Sequence, residues 1–197
     1  MLFERLFEPL EIGPLVLKNR AVMPAMHNNL GNYEDGISSM GADFYVARAK
    51  GGFGLVTVGI IDAHPWDYSS PGEIFLSHDD HIKVHADLVK RARAFGAVVS
   101  AQIGVRRMWK LEDLRKGARV SMFSEALIEE MITDVVETGV RAVEAGYDAI
   151  ELLGTGGSGI SMFLSKVFND RDDHWGGAML VVEAVSRWRW WSGFTNG

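Results

Sequence analysis

The sequence of 197 residues contains no cysteine. This absence excludes disulfide bonds, thiolate metal sites, iron–sulfur clusters and cysteine nucleophiles. The sequence also has no run of 18 uninterrupted apolar residues, so we predict no membrane-spanning helix. Charged residues interrupt the apolar N-terminal stretch, which does not match a secretory signal peptide. We therefore expect a cytoplasmic protein.

Positive charge is scarce relative to negative charge. Lys and Arg together number 20 against 26 Asp and Glu, which gives a formal net charge of −6. A net-acidic chain with scattered basic residues is a poor match for phosphate backbones, so we expect no nucleic-acid partner. Hydrophobic residues make up 47% of the chain and charged residues 23%, which is typical of a folded globular protein.

Short apolar strands alternate with helices along the chain. The predicted strands are a hairpin over 10–18 and buried strands at 21–23, 53–58, 97–103 and 148–153. The predicted helices cover 43–50, 79–95 and 124–145, and Ser77 or Asp79 is expected to cap the second of them. Buried strands that are joined by helices pair in parallel. The pattern therefore predicts an α/β fold with a parallel sheet.

A glycine-rich segment follows the last predicted strand. Gly154–Gly159 contains the pattern G-x-G-x-x-G, which is typical of dinucleotide-binding loops. That interpretation requires a helix and then a second strand that ends in an acidic residue about 20 positions on. Residues 160–167 form only a short helix-like piece, and no strand precedes the aspartates that follow. We favour a strand-to-helix loop and keep a nicotinamide-binding Rossmann unit as an alternative.

Three histidines lie at the start of the second predicted helix. His81 and His85 have the i, i+4 spacing that can place two metal ligands on one helix face, and His78 is close by in sequence. The neighbouring Asp79 and Asp80 are also residues that stabilise a helix N-terminus, and no distant ligand is indicated. We favour a capped, partly exposed helix start and predict no metal site.

Small and polar residues stand at the carboxyl ends of the predicted strands. They are Pro24, Ala25, Met26, His27, Gly59 and Gln102. Parallel α/β folds bind ligands at this edge, where the loops converge. Ala25 and Gly59 permit the close approach of a flat ring, and the Gln102 amide offers the donor and acceptor that a flavin pyrimidine requires. The alternative is that these are ordinary polar residues on the strand ends of a barrel.

Five segments carry a resemblance to a known family. They are LFEPLEIGPLVLKNRAVMPAMH (6–27), ARAKGGFGLVTVG (47–59), DDHIKVHADLVKRARAFGAVVSAQIG (79–104), EAGYDAIELLG (144–154) and SMFLSKVFNDRDDHWGG (161–177). In these segments the sequence resembles the old yellow enzyme superfamily of NADH:flavin oxidoreductases. The Met26-His27 pair and the Asp-Asp-x-Trp-Gly-Gly ending are similar to the 2,4-dienoyl-CoA reductase-like branch.

The resemblance implies a partial TIM (β/α)₈ barrel with an N-terminal β-hairpin and about the first four βα units. Residues 6–177 would form the N-terminal half of an FMN-binding barrel, and 178–197 a divergent, Trp-rich tail. NAD(P)H would be the reductant, and the substrate would be a small molecule such as an enoate, enone or dienoyl thioester. Pro24, Ala25 and Met26 resemble the flavin-lining segment, which His27 follows. Gly59 resembles a flavin contact, and Gln102 the pyrimidine partner.

The sequence departs from this family at the proton donor and in length. The positions that carry a His pair or a Tyr in the family are Leu153, Gly156 and Ser158 here, so the catalytic residue is unassigned. Strands five to eight and the phosphate-binding loops are missing from the match. We expect a truncated, weakly active or inactive FMN-dependent oxidoreductase. The alternative is a non-catalytic half-barrel that self-associates through open sheet edges.

Overall fold

The computed structural model describes residues 3–64, 72–104, 117–154 and 158–176. Most of the predicted loop at 106–119, the position of Gly156 and the tail at 178–197 lie outside these ranges. The chain divides into two compact units, Met1–Arg107 with Glu130–Leu153, and Met108–Glu129 with Gly154–Gly197. In the described ranges, every helix is too short or too polar to cross a membrane.

The first unit is built on a five-stranded parallel sheet. Four of its strands lie side by side in chain order, as predicted: β3 (Val22–Met23), β6 (Leu55–Asp62), β8 (Val98–Gly104) and β9 (Ala149–Leu152). The short β7 (Ile74–Phe75) also pairs in parallel with β6. The connecting helices are α1 (Ser39–Lys50), α2 (Ile82–Arg93) and α3 (Glu125–Glu144). The order of strands and helices confirms the predicted α/β class.

Two hairpins precede the first helix. The strands β1 (Leu10–Ile12) and β2 (Leu15–Leu17) pair antiparallel around Gly13, whose φ of +56° suits a turn. This hairpin confirms the prediction for 10–18. The second pair, β4 (Gly31–Asn32) and β5 (Gly36–Ile37), was not predicted, because two-residue strands carry no periodic signal.

The two faces of the sheet differ in chemistry. Alternate residues of a strand point to opposite faces, so Val56 and Val58 of β6 and Val99 and Ala101 of β8 share one side. That side forms the core with Leu88 and other apolar residues of the helices. The opposite side carries polar groups at the paired positions of the sheet. These pairs are Thr57 with Ser100 and Gln102 with Glu151.

Several predicted boundaries were wrong. The helix predicted at 43–50 begins at Ser39, because Ser38 accepts a hydrogen bond from the Gly41 N–H and caps it. The strand predicted at 53–58 continues to Asp62 through a register shift between Val58 and Ile61. A strand that continues past such an irregularity loses the simple alternation on which its prediction depends. Helix α3 begins within one residue of its prediction, and the Ser124 hydroxyl accepts from the Leu127 N–H.

The histidine-rich helix start also differs from the prediction. The three residues Asp79–His81 form a 3₁₀ turn, and no side chain caps either this turn or α2. His81 and His85 are buried rather than partly exposed. Their partners lie within the protein, because the Nε2 atoms of His81 and His85 lie 3.0 Å from the carbonyl oxygens of Tyr33 and Phe75 respectively. The rings therefore face different partners and do not converge on one ligand.

His85 is neutral in the folded protein. A carbonyl oxygen can only accept, so Nε2–H donates to Phe75, and Nδ1 accepts from the Tyr147 hydroxyl at 2.7 Å. Burial lowers the pKa of His85 to about 4. Burial also raises the pKa of Tyr147 well above its usual value, so this hydroxyl keeps its proton. Both groups are thus hydrogen-bonded and uncharged in the core.

The second unit contains the start of α3 and the segment from α4 (Gly159–Leu164) to residue 176. Arg171 donates hydrogen bonds to the carbonyl oxygens of Val120 and Phe123, and Asp170 accepts from the Ser121 N–H. The Asn169 amide donates to the backbone carbonyl oxygens of Phe163 and Trp175. These contacts hold a stretch that has little regular secondary structure.

Candidate functional site

The carboxyl ends of β3, β6 and β8 form the edge that the sequence analysis selected, and we call it the carboxyl edge. Gly59 of β6 lies directly against Gln102 of β8. Its φ is +149°, and a Cβ atom at this position would lie 2.8 Å from the Gln102 carbonyl oxygen. Only glycine fits such a position without moving the backbone of the neighbouring strand. Gly59 and Gln102 are therefore adjacent, as the predicted site requires.

Tyr45 of α1 joins two parts of the carboxyl edge. This tyrosine is fully buried, and its hydroxyl oxygen lies 3.3 Å from the carbonyl oxygens of both Met26 and Gly59. The same oxygen accepts a hydrogen bond from the Gly59 N–H at 3.2 Å. Burial raises the pKa of Tyr45, so the hydroxyl remains a donor. The sequence analysis missed this residue, because a buried helix tyrosine between two strands has the pattern of an ordinary core residue.

A small cleft lies beside these residues. Its empty space is about 140 Å³, part of it open to solvent, and its walls come from the loop after β3, the bulge in β6 and the start of β7. The lining residues are His27, Asn28, Gly59, Ile60, Gly72, Glu73 and Ile74. His27 and Gly59, which were predicted separately from two strand ends, thus share one cleft.

His27 stands between solvent and a buried carboxylate. Its side chain is 30% exposed and that of Glu73 is 1% exposed, and His27 Nδ1 lies 3.8 Å from Glu73 Oε1. On the other side of the ring, Nε2 lies 2.9 Å from Asn29 Oδ1. The sequence analysis missed Glu73, whose only signal is an acidic residue directly before the apolar run 74–76.

Gln102 is the only glutamine of the chain, and its side chain has a defined partner. It is 8% exposed, and its Nε2 donates to Glu151 Oε1 across the β8–β9 pair. The pair presents an amide donor and acceptor next to a carboxylate acceptor. The edge of a flavin pyrimidine has an N–H between two carbonyl groups, so the Gln102 amide can donate to one carbonyl group and accept from the N–H. The hydrogen-bonding groups of Gln102 therefore fit the pyrimidine side of FMN.

The remaining predicted residues lie on the segment that leads to this edge. Pro24 is exposed and Ala25 is half-buried, and Met26, whose carbonyl faces Tyr45, has a 51% exposed side chain. All six predicted residues therefore lie at or next to the carboxyl edge. Their contact with a flavin stays a prediction.

The glycine-rich segment does not continue as the dinucleotide-binding alternative requires. Helix α4 begins at Gly159, and the Ser158 hydroxyl accepts from the Ser161 N–H at its start. Within residues 158–176, α4 has only six residues and no second strand follows it. Positions 155–157 lie outside the described residues. The described part of the chain thus lacks the element on which a Rossmann unit depends.

A parallel sheet whose strands are joined by helices and whose polar groups gather at the carboxyl edge belongs to the α/β class, in which ligands bind at that edge. Comparison with known proteins then identifies the family. The sequence matches the NADH:flavin oxidoreductase / NADH oxidase family over residues 5–181, and the chain belongs to this family.

Characterised relatives are about 30% identical to this chain. The NADH oxidase of Thermoanaerobacter brockii is 31% identical over 192 residues, which cover 89% of this chain and 30% of the relative. The NADPH dehydrogenase of Halalkalibacterium halodurans is 31% identical over 186 residues, covering 89% of this chain and 55% of the relative. The chain thus spans about half the length of the NADPH dehydrogenases that it matches, and less of the larger relatives.

Solved structures confirm the fold. An old yellow enzyme from a Pichia species superposes with a TM-score of 0.79 at 20% identity, over 92% of this chain and 55% of that enzyme. A 2-naphthoyl-CoA reductase in complex with 2-naphthoyl-CoA superposes with a TM-score of 0.81 at 23% identity, over 93% and 33%. The predicted fold, part of a TIM barrel of the old yellow enzyme type, is confirmed.

Proposed function

We propose that this chain forms the pyrimidine-binding side of an FMN site in an NAD(P)H-dependent oxidoreductase that reduces activated C=C bonds. The convergence of Met26, His27, Gly59 and Gln102 at the carboxyl edge carries this proposal. Family membership supports the use of flavin, because the family is defined by NADH:flavin oxidoreductases. We place the protein in the cytoplasm, in agreement with its lack of cysteine.

Each residue of the site has a separate role in this proposal. FMN, when bound, supplies hydride transfer from NAD(P)H to an alkene. Gln102 and Glu151 would bind the imide edge of the ring, and Gly59 would let the ring approach the strand. Tyr45 positions the Met26 and Gly59 backbone, which would contact the ring. His27, which lines the cleft, would be the proton donor, since the positions of the family's usual proton donor carry Leu153, Gly156 and Ser158.

The coverage of the relatives supports weak binding by this chain alone. In (β/α)₈ barrels a phosphate group is often bound by the loops after strands seven and eight. This chain covers 55% of the NADPH dehydrogenase that it matches. The described carboxyl edge offers the polar partners of the pyrimidine only. We expect weak FMN affinity and little ene-reductase activity from these residues by themselves.

A fluorescence titration tests the proposal. Protein is added to FMN, and the quenching and polarisation of flavin fluorescence are followed as a function of protein concentration. We expect saturable binding, and Gln102→Leu should weaken it by about 10-fold or more, because a hydrogen-bonded edge then meets an apolar side chain. Absence of saturable binding would overturn the proposal, and FMN retained at unit occupancy through purification would contradict the weak affinity.

A matched variant on the same strand serves as the control. Ser100 lies two residues before Gln102 on the same face of β8 and is equally buried, but it is farther from the carboxyl edge. Ser100→Ala should leave the FMN affinity unchanged within about 2-fold. An equal loss in both variants would mean that the strand was disturbed and that Gln102 has no direct role.

The finer assignment concerns the branch of the family. We propose that the substrate resembles those of the 2,4-dienoyl-CoA reductase-like branch, on the basis of the Met26-His27 pair and residues 172–177. The fold similarity to a reductase that binds 2-naphthoyl-CoA agrees with a thioester substrate. The test is protection against thermal unfolding. A dienoyl-CoA that raises the melting temperature more than the corresponding free acid does would support this branch. Equal or absent protection would contradict it.

The second candidate is a half-barrel that self-associates and has no catalytic role. Within the described residues, β3 and β9 pair on one side only, and Val22 of β3 is 44% exposed. Such edges favour pairing with another chain. Light scattering coupled to size exclusion distinguishes the two: a concentration-dependent dimer without FMN binding favours this candidate, and a monomer that binds FMN excludes it.

A further inference from the structure

Three potential metal ligands meet outside the site described above. His64 follows the end of β6 by two residues, and Glu130 and Asp134 lie one helical turn apart on α3. The His64 Nε2 atom lies 3.9 Å from Glu130 Oε1 and 3.8 Å from Asp134 Oδ2. One ligand atom from each residue lies within 4.8 Å of the other two. The group therefore combines one imidazole nitrogen with two carboxylate oxygens.

The distances suit a bridging cation better than direct contact. At 3.8–3.9 Å, neither carboxylate forms a hydrogen bond with the ring. Three donors at about 2.0–2.2 Å from a zinc ion lie roughly 3–3.5 Å from one another, so shifts below about 1 Å would complete the geometry. Carboxylates at i, i+4 also repel each other on a helix, and a cation between them removes that cost.

The limited solvent exposure of two of the three side chains favours binding of an ion at this site. The side chain of His64 is 13% exposed and that of Asp134 is 24% exposed, while Glu130 is 52% exposed. His64 and Asp134 are thus largely shielded from water, whereas an ion can reach the site from solvent beside Glu130. Glu130 and Asp134 lie on a regular helix, so little conformational entropy of these two ligands is lost on binding, and His64 lies two residues past the end of β6. Each residue also has further contacts in the chain, with which an ion would compete.

We propose that His64, Glu130 and Asp134 form a binding site for a divalent transition-metal ion of the zinc type. Imidazole with carboxylates suits Zn²⁺, Mn²⁺ or Co²⁺, whereas Mg²⁺ and Ca²⁺ prefer oxygen ligands alone. Three protein ligands leave a fourth position for water, as in open zinc sites. This site does not depend on the proposed FMN function, and the absence of FMN binding would leave it unaffected.

Calorimetry on the full chain tests the site. The protein is treated with a chelator, dialysed and titrated with Zn²⁺, and Co²⁺ is used in parallel because its visible absorption reports ligand geometry. We expect one equivalent to bind. His64→Gln and Asp134→Asn should each weaken binding by at least about 10-fold. Glu130→Gln, at a half-exposed position, should weaken it as well.

A second histidine–carboxylate pair provides the control. His174 Nε2 lies 3.5 Å from Glu125 Oε1, but the pair has only one carboxylate, and both side chains are more than half exposed. His174→Gln should leave the Zn²⁺ affinity and stoichiometry unchanged. Failure of the wild-type chain to bind Zn²⁺ would overturn the proposal. So would unchanged affinity in Glu130→Gln and the other ligand variants, or an equal loss in His174→Gln.

Discussion

The helix-covered face of the sheet and the carboxyl edge of the same sheet differ in what they bury. The helix-covered face buries apolar side chains, and its polar members, such as His85 and Tyr147, are neutral and hydrogen-bonded to each other. The carboxyl edge buries the carboxylate of Glu73 and brings it near the partly exposed His27. The first region specifies the fold, and the second places polar groups beside a cleft that a ligand can reach, at a cost in stability.

The largest expected effect lies on the helix-covered face. Leu88 of α2 is fully buried in the core, and Leu88→Ala should lower the free energy of unfolding by about 2–5 kcal/mol because it leaves a cavity. Leu164→Ala removes the same atoms from a 48% exposed side chain and should cost less than about 1 kcal/mol. Urea denaturation of both variants measures the difference, and equal losses would contradict the assignment of the core.

The next effect is a loss of stability in acid that originates in the core. His85 takes up a proton near pH 6.5 when unfolded but only near pH 4 when folded. The unfolded state therefore binds more protons between these values, and stability falls as the pH drops through this window. The loss of unfolding free energy due to His85 is about 3 kcal/mol at pH 4 and is absent well above pH 6.5.

NMR titration of the His85 ring separates this contribution from those of other groups. Its resonances should stay those of the neutral ring down to about pH 4. A His85 ring that titrates near pH 6.5 in the folded protein would show that the core does not exclude its charge.

Removal of one hydroxyl from the core should have a smaller effect. Tyr147→Phe leaves the buried Nδ1 of His85 without its donor and should cost about 1–3 kcal/mol in unfolding free energy. Tyr33 provides the comparison, because its hydroxyl bonds to His78 at an exposed position. Tyr33→Phe should cost less than about 1 kcal/mol. Thermal unfolding monitored by circular dichroism measures both, and a reversed order would contradict the proposed roles.

The smallest effect on stability is expected at the carboxyl edge, where binding should change instead. Glu151 is exposed and accepts a hydrogen bond from Gln102. Glu151→Gln should change the unfolding free energy by less than about 0.5 kcal/mol, yet it should weaken FMN binding measurably in the fluorescence titration. Glu137→Gln, at a 55% exposed position of α3, should change neither quantity. A large loss of stability in Glu151→Gln would show that Glu151 stabilises the fold and would contradict its proposed role in binding.

The sequence was sufficient for the order and direction of the main strands. Runs such as 97–103 are short, apolar and bounded by glycine or charged residues, and helices separate them, which leaves parallel pairing as the compact solution. The strands that carry Gly59 and Gln102 followed from that order. The exact extent of β6 did not, because its second half passes through an irregularity that alternation does not describe.

The partners of the site residues became visible only in three dimensions. Tyr45 is 14 residues from Gly59 in sequence and Glu73 is 46 residues from His27, and no local pattern relates either pair. The burial of His81 and His85 likewise depends on backbone carbonyls and a tyrosine far along the chain. Local periodicity determined the fold class by itself, because each strand and helix must bury its own apolar face. Hydrogen-bonding and charge partners were decided by the tertiary structure, because the free energy of a buried polar group depends on neighbours that only folding supplies.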